Sequence, residues 1–341
     1  MTPSLFPFTE YWWLYAAFSV LVIALVLVDL GLFHSEARKV SYKEASWWTV
    51  IWIGLALVFN YGLYHFSIHA FSNNPGLLAI PGFDPTIAAR GVALEFLTGY
   101  IVEKSLSVDN LFVFVVVFKY FAIEPKYQRH VLFYGLLGAL VFRAIFIALG
   151  ALLMQYHAVT IFFGAFLIFT GVKMAFSPEK PIEPHKNPVI KVLKKIFPLT
   201  PEFHGQKFMV RQNGKVFLTP LFVALVFLEI TDVVFAVDSV PAIFALTNEP
   251  FIVFTSNIFA ILGLRSLFFL LSGAVEQFHL LKYGLSIVLV FVGLKMVWLN
   301  ELFGGKFPIG ISLAIIIGVI GASVLLSLII KPKSHSGSGG A

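Results

Sequence analysis

The sequence predicts an all-α polytopic membrane protein of about nine transmembrane helices, with two inverted three-helix repeats and broken helices at the core. Three observations predict it. The 341 residues are 59% hydrophobic and only 12% charged, with mean hydropathy +0.90, whereas a soluble domain carries about 25% charge. Nine stretches reach the length of about 20 mostly apolar residues that a bilayer crossing needs. The second half of the chain also repeats the first.

The spans fall at 12–33, 47–66, 88–121, 131–154, 158–176, 218–246, 251–272, 281–299 and 308–330. Trp12 and Trp13 suit the interface at the start of the first, and Asp29 lies near its far end. The third, at 34 residues, is too long for one straight crossing. The chain thereby divides into two N-terminal spans (1–87), repeat A (88–176), a basic linker (177–217), repeat B (218–300), a last span (301–333) and a tail (334–341) read as an appended linker. No basic region precedes the first apolar run, so no cleaved signal peptide is expected.

Lys and Arg set the orientation. The loops on one side hold 17 of them and the other side holds two, Arg90 and Lys306. The positive-inside rule makes the rich side cytoplasmic, the N-terminus periplasmic and the C-terminus cytoplasmic. The net charge of +6 therefore reads as topology and lipid contact, with no nucleic-acid partner. Within the linker, 187–197 has an apolar face with Lys191, Lys194 and Lys195, which suits an anionic membrane surface. Asn213-Gly214 between apolar runs predicts a hairpin over 208–217. Both read as a structured linker without chemistry of its own.

The repeat is explicit. Residues 143–174 align without gaps to 265–296, pairing Arg143 with Arg265, Gly171 with Gly293, Lys173 with Lys295 and Met174 with Met296. Upstream, at an offset of 129, Glu103 pairs with Asp232 and Asp109 with Asp238. A three-span unit repeated in tandem inverts its second copy, a transporter signature that places substrate where the copies meet. Glu103 and Asp109 are six residues apart, as are Asp232 and Asp238. In a regular helix such pairs diverge by about 120°. The sequence therefore predicts a helix break in each motif, eased by Ser105 and Ser107 in the first and by Pro241 in the second.

Seven acids lie inside spans: Asp29, Glu95, Glu103, Asp109, Glu229, Asp232 and Asp238. A charge at mid-bilayer costs about 2.5–3.5 kcal/mol on insertion scales. With Asn110, Ser239 and Thr231 they make an all-oxygen set, suited to hard divalent cations such as Mg²⁺, Ca²⁺ and Mn²⁺. Cys is absent, which excludes disulfides and thiolate sites. Five basic residues, Lys104, Arg143, Lys173, Arg265 and Lys295, also lie in spans, as supporting or gating charges. The bland alternative is a network of structural ion pairs. Lys173 and Lys295 can snorkel, and Arg143 and Arg265 are expected to pair with acids. Asp29 either completes the site or sits at headgroup level. His157 and His279 suit interfacial roles, the i,i+4 pair His65 and His69 reads as hydrated, and Glu249 reads as surface. No catalytic constellation and no glycine loop for a nucleotide occur, so neither an enzyme nor an organic cofactor is expected. Buried carboxylates can exchange a proton for a cation.

The motifs EFLTGYIVEKSLSVDNLFVF (95–114) and LEITDVVFAVDSVPAIFALT (228–247) resemble the TerC family of bacterial membrane proteins, named for tellurium resistance. The likeness extends through 129–143, 163–174, 251–265 and 281–296, and is greatest to the Alx subgroup of the inner membrane. It implies manganese export, with the acids of both motifs carrying the ion, and a kinship with inverted-repeat exporters that include the LysE amino-acid exporters. The expectations are Mn²⁺ export, with protons as the exchanging ion. The alternatives are a non-transporting redox or stress-response scaffold with tellurite resistance as an indirect effect, and an exporter of small organic solutes.

Overall fold

The computed structural model describes residues 4–33, 40–176, 195–212, 214–272, 278, 280–304 and 307–330, and for 30–33, 109 and 112 only the backbone. The chain forms α1 (Phe8–Phe33), α2 (Tyr42–Ser72), a single turn α3 (Pro75–Leu78), α4 (Pro85–Tyr120), α5 (Pro125–Leu153) and α6 (His157–Phe176). A hairpin of β1 (Met209–Gln212) and β2 (Lys215–Leu218) follows. Then come α7 (Pro220–Phe244), α8 (Pro250–Leu262), α9 (Leu264–Leu271), α10 (Leu281–Leu294), a π-helical turn (Lys295–Leu299), α11 (Asn300–Leu302) and α12 (Ile309–Ile329). Five helices start with proline in the first turn, where a missing N–H costs nothing. Asp84 caps α4 by accepting from the Thr86 and Ile87 amides.

The protein is an all-α polytopic membrane protein. Eight helical segments among the described residues are long and apolar enough to cross a membrane. The ninth expected span is α4, which carries too much charge to qualify by composition. Its 36 residues reach about 54 Å at 1.5 Å per residue, well beyond a hydrocarbon core of about 30 Å.

The predicted breaks are absent. Both α4 and α7 run as single helices through their acid motifs. Pro241 lies three residues before the end of α7, so the one hydrogen bond it removes falls in the last turns, beyond the acid motif. Ser105 bonds back to the Ile101 carbonyl of its own helix. The six-residue spacing was the wrong one to reconcile. Glu103 and Asn110 are seven apart, as are Asp232 and Ser239, and seven residues return a helix to the same face. Each helix therefore shows one acid and one neutral polar group to the centre without breaking.

The irregularities fall elsewhere. Gly263 separates α8 from α9, and the Lys104 ammonium enters there to donate to the Ala260 carbonyl at 3.0 Å. The last carbonyls of a helix lose their intrahelical donors, so the break itself attracts a cation. The segment Pro250–Leu271 is the central one, with 83% of its apolar window buried. Aromatic rings of α1, α2, α4 and α8 pack around it: Phe59 lies 4.8 Å from Phe259 and Phe18 5.4 Å from Phe254.

The α6–α10 seam rests on small residues, as close helix contact in lipid requires. A Cβ on Gly293 would sit 2.6 Å from the Gly164 carbonyl, and one on Gly171 would sit 2.8 Å from the Ser286 carbonyl. The 122-residue offset relates Gly164 to Ser286 and Gly171 to Gly293. The two contacts are therefore the same contact with the halves exchanged, the mark of a two-fold, self-complementary seam.

Candidate functional site

Where α4, α5 and α7 meet, three charged side chains are sealed inside the protein. Glu103 is 0% and Arg143 1% exposed, with Asp232 also buried. Arg143 Nη1 lies 2.8 Å from Glu103 Oε1, and its Nε lies 3.6 Å from Asp232 Oδ2. The first distance is a charge-assisted hydrogen bond. The second is a Coulomb contact only, and both Arg143 Nε and Asp232 Oδ2 lack hydrogen-bond partners. Arg143 also donates to the Ser239 hydroxyl.

The two acids are braced reciprocally. Asn110 Nδ2 donates to Asp232 Oδ1 over a long 3.4 Å, and the Ser239 hydroxyl lies beside Glu103, both on Arg143 Nη1. Asn110 and Ser239 are repeat mates, as are Asp232 and Glu103, so each motif supports the acid of the other. Ser107 donates to Glu103 Oε1 at 3.3 Å, and Asn257 Nδ2, from α8, to Glu103 Oε2 at 3.1 Å.

Glu229 lies one turn before Asp232 on α7, and its carboxylate rests against Gly135 and Gly138 of α5. A Cβ at Gly138 would overlap that carboxylate. Glu229 and Asp232 line a cavity of about 30 Å³ together with Arg265, the room of about one water molecule. A second cavity of similar size is lined by Glu103, Asn110, Arg143, Met174, Asp238 and Ser239.

Buried acceptors outnumber donors at this centre. Asn110 Oδ1, Asn257 Oδ1, Asp232 Oδ2 and Glu229 Oε2 have no hydrogen-bond partner, and a buried polar atom left so carries a desolvation penalty of about 1–3 kcal/mol. Oxygens of this kind are what a hard cation binds. Among the described residues no three of His, Cys, Asp and Glu converge closely enough to hold a metal ion. Arg143 occupies the position between the acids.

The remaining sequence-predicted residues lie apart. Asp238 borders the second cavity from the side of α6, toward Thr170 and Lys173, and makes no contact with the Glu103–Arg143–Asp232 cluster. The side chain of Asp109 lies outside the described residues. Glu95 is buried away from the centre, accepting from the Thr247 hydroxyl at 2.5 Å. Asp29 is buried and paired with Arg265. Thr231 bonds back to the Phe227 and Leu228 carbonyls. Lys173 is exposed, but Lys295 is buried at the π-helical turn and does not snorkel. Glu249 corrects the surface expectation: it is 8% exposed and accepts from Ser4 Oγ (2.8 Å), the Leu5 amide (2.7 Å) and the Phe6 amide (3.2 Å). Burial raises its pKa, and these three donors oppose the rise. His65 and His69 are exposed, His65 against Tyr61 and Tyr64, and His157 is exposed 4.0 Å from Glu301. His279 lies outside the described residues, as do 177–194 and Asn213.

Sequence reasoning missed Asn257 and Thr247. A neutral side chain that meets an acid of a distant segment gives no signal until the helices are packed.

Fold and centre together define a class: a polytopic membrane protein whose charged groups are gathered in the interior of the helix bundle. The chain belongs to the Integral membrane protein TerC family, which it matches over residues 89–335. It is 47% identical over 317 residues to the membrane protein STKORF319 of Myxococcus xanthus, covering 93% of this chain and 92% of that one. It is 42% identical over 316 residues to Alx of Salmonella typhi (92% and 93% covered) and 39% identical over 329 residues to Alx of Escherichia coli K12 (96% and 98%). Alx carries the name of a proposed membrane-bound redox modulator. No solved structure matches.

Proposed function

We propose that the protein is a secondary transporter that exports divalent metal cations, Mn²⁺ foremost, in exchange for protons. The cation is held by Glu103 and Asp232, with Glu229, Asp238, Asn110 and Ser239 around them and Glu95 and Asp109 further along the path. The observation that carries this reading is the set of buried oxygens without donors around a sealed acid pair. Buried carboxylate and amide oxygens with spare acceptor capacity are groups that a hard cation can coordinate. Arg143 then acts as the resident counter-ion that a cation displaces. The membrane is the bacterial inner membrane, with the N-terminus periplasmic and the C-terminus cytoplasmic. The test is Mn²⁺ flux into proteoliposomes holding the purified protein. Glu103→Gln and Asp232→Asn are expected to abolish flux, and unchanged flux in both overturns the assignment.

The name of the Alx relatives favours a second reading, redox modulation at the membrane without transport. The chain has no Cys, so that role would act through metal supply or a partner rather than through thiols of its own. Absence of flux for every divalent cation tried, with a redox phenotype on deletion, selects it.

A further inference from the structure

We propose that Arg265 is a mobile counter-ion with two docks, Asp29 on one side and Asp232 with Glu229 on the other, and that its withdrawal to Asp29 is what frees the central acids for a cation. The proposal rests on the reading of those acids as a cation site.

The two halves of the protein contact each other reciprocally: Asn110 with Asp232 and Ser239 with Glu103, Gly164 with Gly293 and Ser286 with Gly171. Arg143 and Arg265 break this pattern. Arg143 holds Glu103, the acid of its own repeat, at 2.8 Å. The matching acid for Arg265 is Asp232. Among the described residues, however, its ion pair is with Asp29, a residue of α1 that belongs to neither repeat.

Arg265 nevertheless remains in reach of its symmetric partner. It lines the cavity that Glu229 and Asp232 line. It also lines the neighbouring cavity, with Asp29 and Arg129. Arg265 thus borders two cavities, one holding Glu229 and Asp232 and the other Asp29, on a long side chain that can change rotamer. Its position decides the charge of the centre. Docked on Asp232 it gives each central acid its own arginine and removes the attraction for a cation. Docked on Asp29 it leaves Glu103, Asp232 and Glu229 one positive charge poorer. Arg129 lines the same cavity as Asp29 and Arg265, so Asp29 is the acid that lets two arginines share it.

Two measurements on the full-length purified protein test this. The first uses no metal. Thermal midpoints are read for Asp29→Asn, Asp232→Asn and the double variant, each with Arg265 intact and with Arg265→Gln. With Arg265 present the double variant is expected to lose more than the sum of the singles, because the guanidinium has lost both docks. In the Arg265→Gln background the losses are expected to add. Equal additivity in both backgrounds overturns the proposal. If the double variant with Arg265 does not fold while its Arg265→Gln counterpart does, that result supports the coupling. Failure of both counts against it.

The second measurement is the Kd for MnCl₂. Asp29→Asn is expected to weaken binding tenfold or more, and Asp29→Asn/Arg265→Gln to return it to within about twofold of wild type. Equal weakness of the two overturns the proposal. A wild-type protein that binds no Mn²⁺ defeats the cation-site reading itself, and the metal-free cycle still decides whether Arg265 moves between its docks.

Discussion

Glu103 and Asp232 lie 129 positions apart in the chain and meet on one guanidinium, 2.8 Å and 3.6 Å from Arg143. Removing that guanidinium leaves two carboxylates buried without compensation. Breaking a buried pair in this way costs about 3–5 kcal/mol. Arg143→Gln is therefore expected to lower the thermal midpoint of the purified protein substantially. Under the proposed function, MnCl₂ restores part of the loss, because a ligand of the folded state stabilises by mass action. A midpoint unchanged by the substitution shows that Arg143 does not compensate the two acids.

The glycines facing Glu229 give a controlled pair. A Cβ at Gly138 overlaps the Glu229 carboxylate, whereas one at Gly135 sits in ordinary contact, 3.8 Å from Leu225 and 3.9 Å from Glu229. The carboxylate ends a flexible side chain and can yield into the adjoining cavity. Gly138→Ala is therefore expected to change cation affinity with a stability loss of about 1 kcal/mol or less, and Gly135→Ala to change neither. Calorimetric titration and thermal melts separate the two effects.

The α6–α10 seam yields less easily, because backbone blocks it. Gly293→Ala is expected to destabilise by about 1–3 kcal/mol, the usual cost of overpacking. Gly164 stands across the same contact. The two alanine substitutions are expected to combine non-additively, since the second meets a seam already parted. Additive losses in a thermal melt indicate that the glycines act separately.

Glu249 supplies a pH dependence. Its pKa is raised in the folded protein by burial, so the folded state binds the proton more tightly than the unfolded chain, in which a glutamate titrates near about 4.3. Stability from this group is therefore full below the unfolded pKa. It declines as pH rises between the unfolded and folded values and is constant above them. The wild-type midpoint measured against Glu249→Gln is expected to improve as pH falls from neutral toward about 4.5. A difference that does not vary with pH shows that the carboxylate is not held in this environment.

Much of this was legible in the sequence. Composition and span length dictated a helical membrane protein, because only a closed helix satisfies its own backbone in lipid. The repeat picked out Glu103 with Asp232 and Arg143 with Arg265 before any packing was known. The failures have physical causes. The six-residue pairs Glu103/Asp109 and Asp232/Asp238 suggested broken helices because all four acids were assumed to face one cavity. The acids that meet use the seven-residue face instead, and Asp238 turns to α6. Partners from a third helix, such as Asn257 on Glu103 and Asp29 on Arg265, depend on which helices touch, and no local pattern encodes that. Glu249 looked like a loop residue because the amides that surround it come from Leu5 and Phe6, at the other end of the chain.

That last contact fixes an order of events. Ser4, Leu5 and Phe6 leave the ribosome long before the carboxylate they grip, which is 243 to 245 residues downstream. They have no partner there until α7 has been threaded into the bilayer and the turn before α8 has emerged. Phe6 packs on Phe71 and on Phe251, and the second of these contacts must wait with them. The segment 4–6 is thus among the last parts to find its place, and a nascent chain arrested before residue 249 would leave it open to protease.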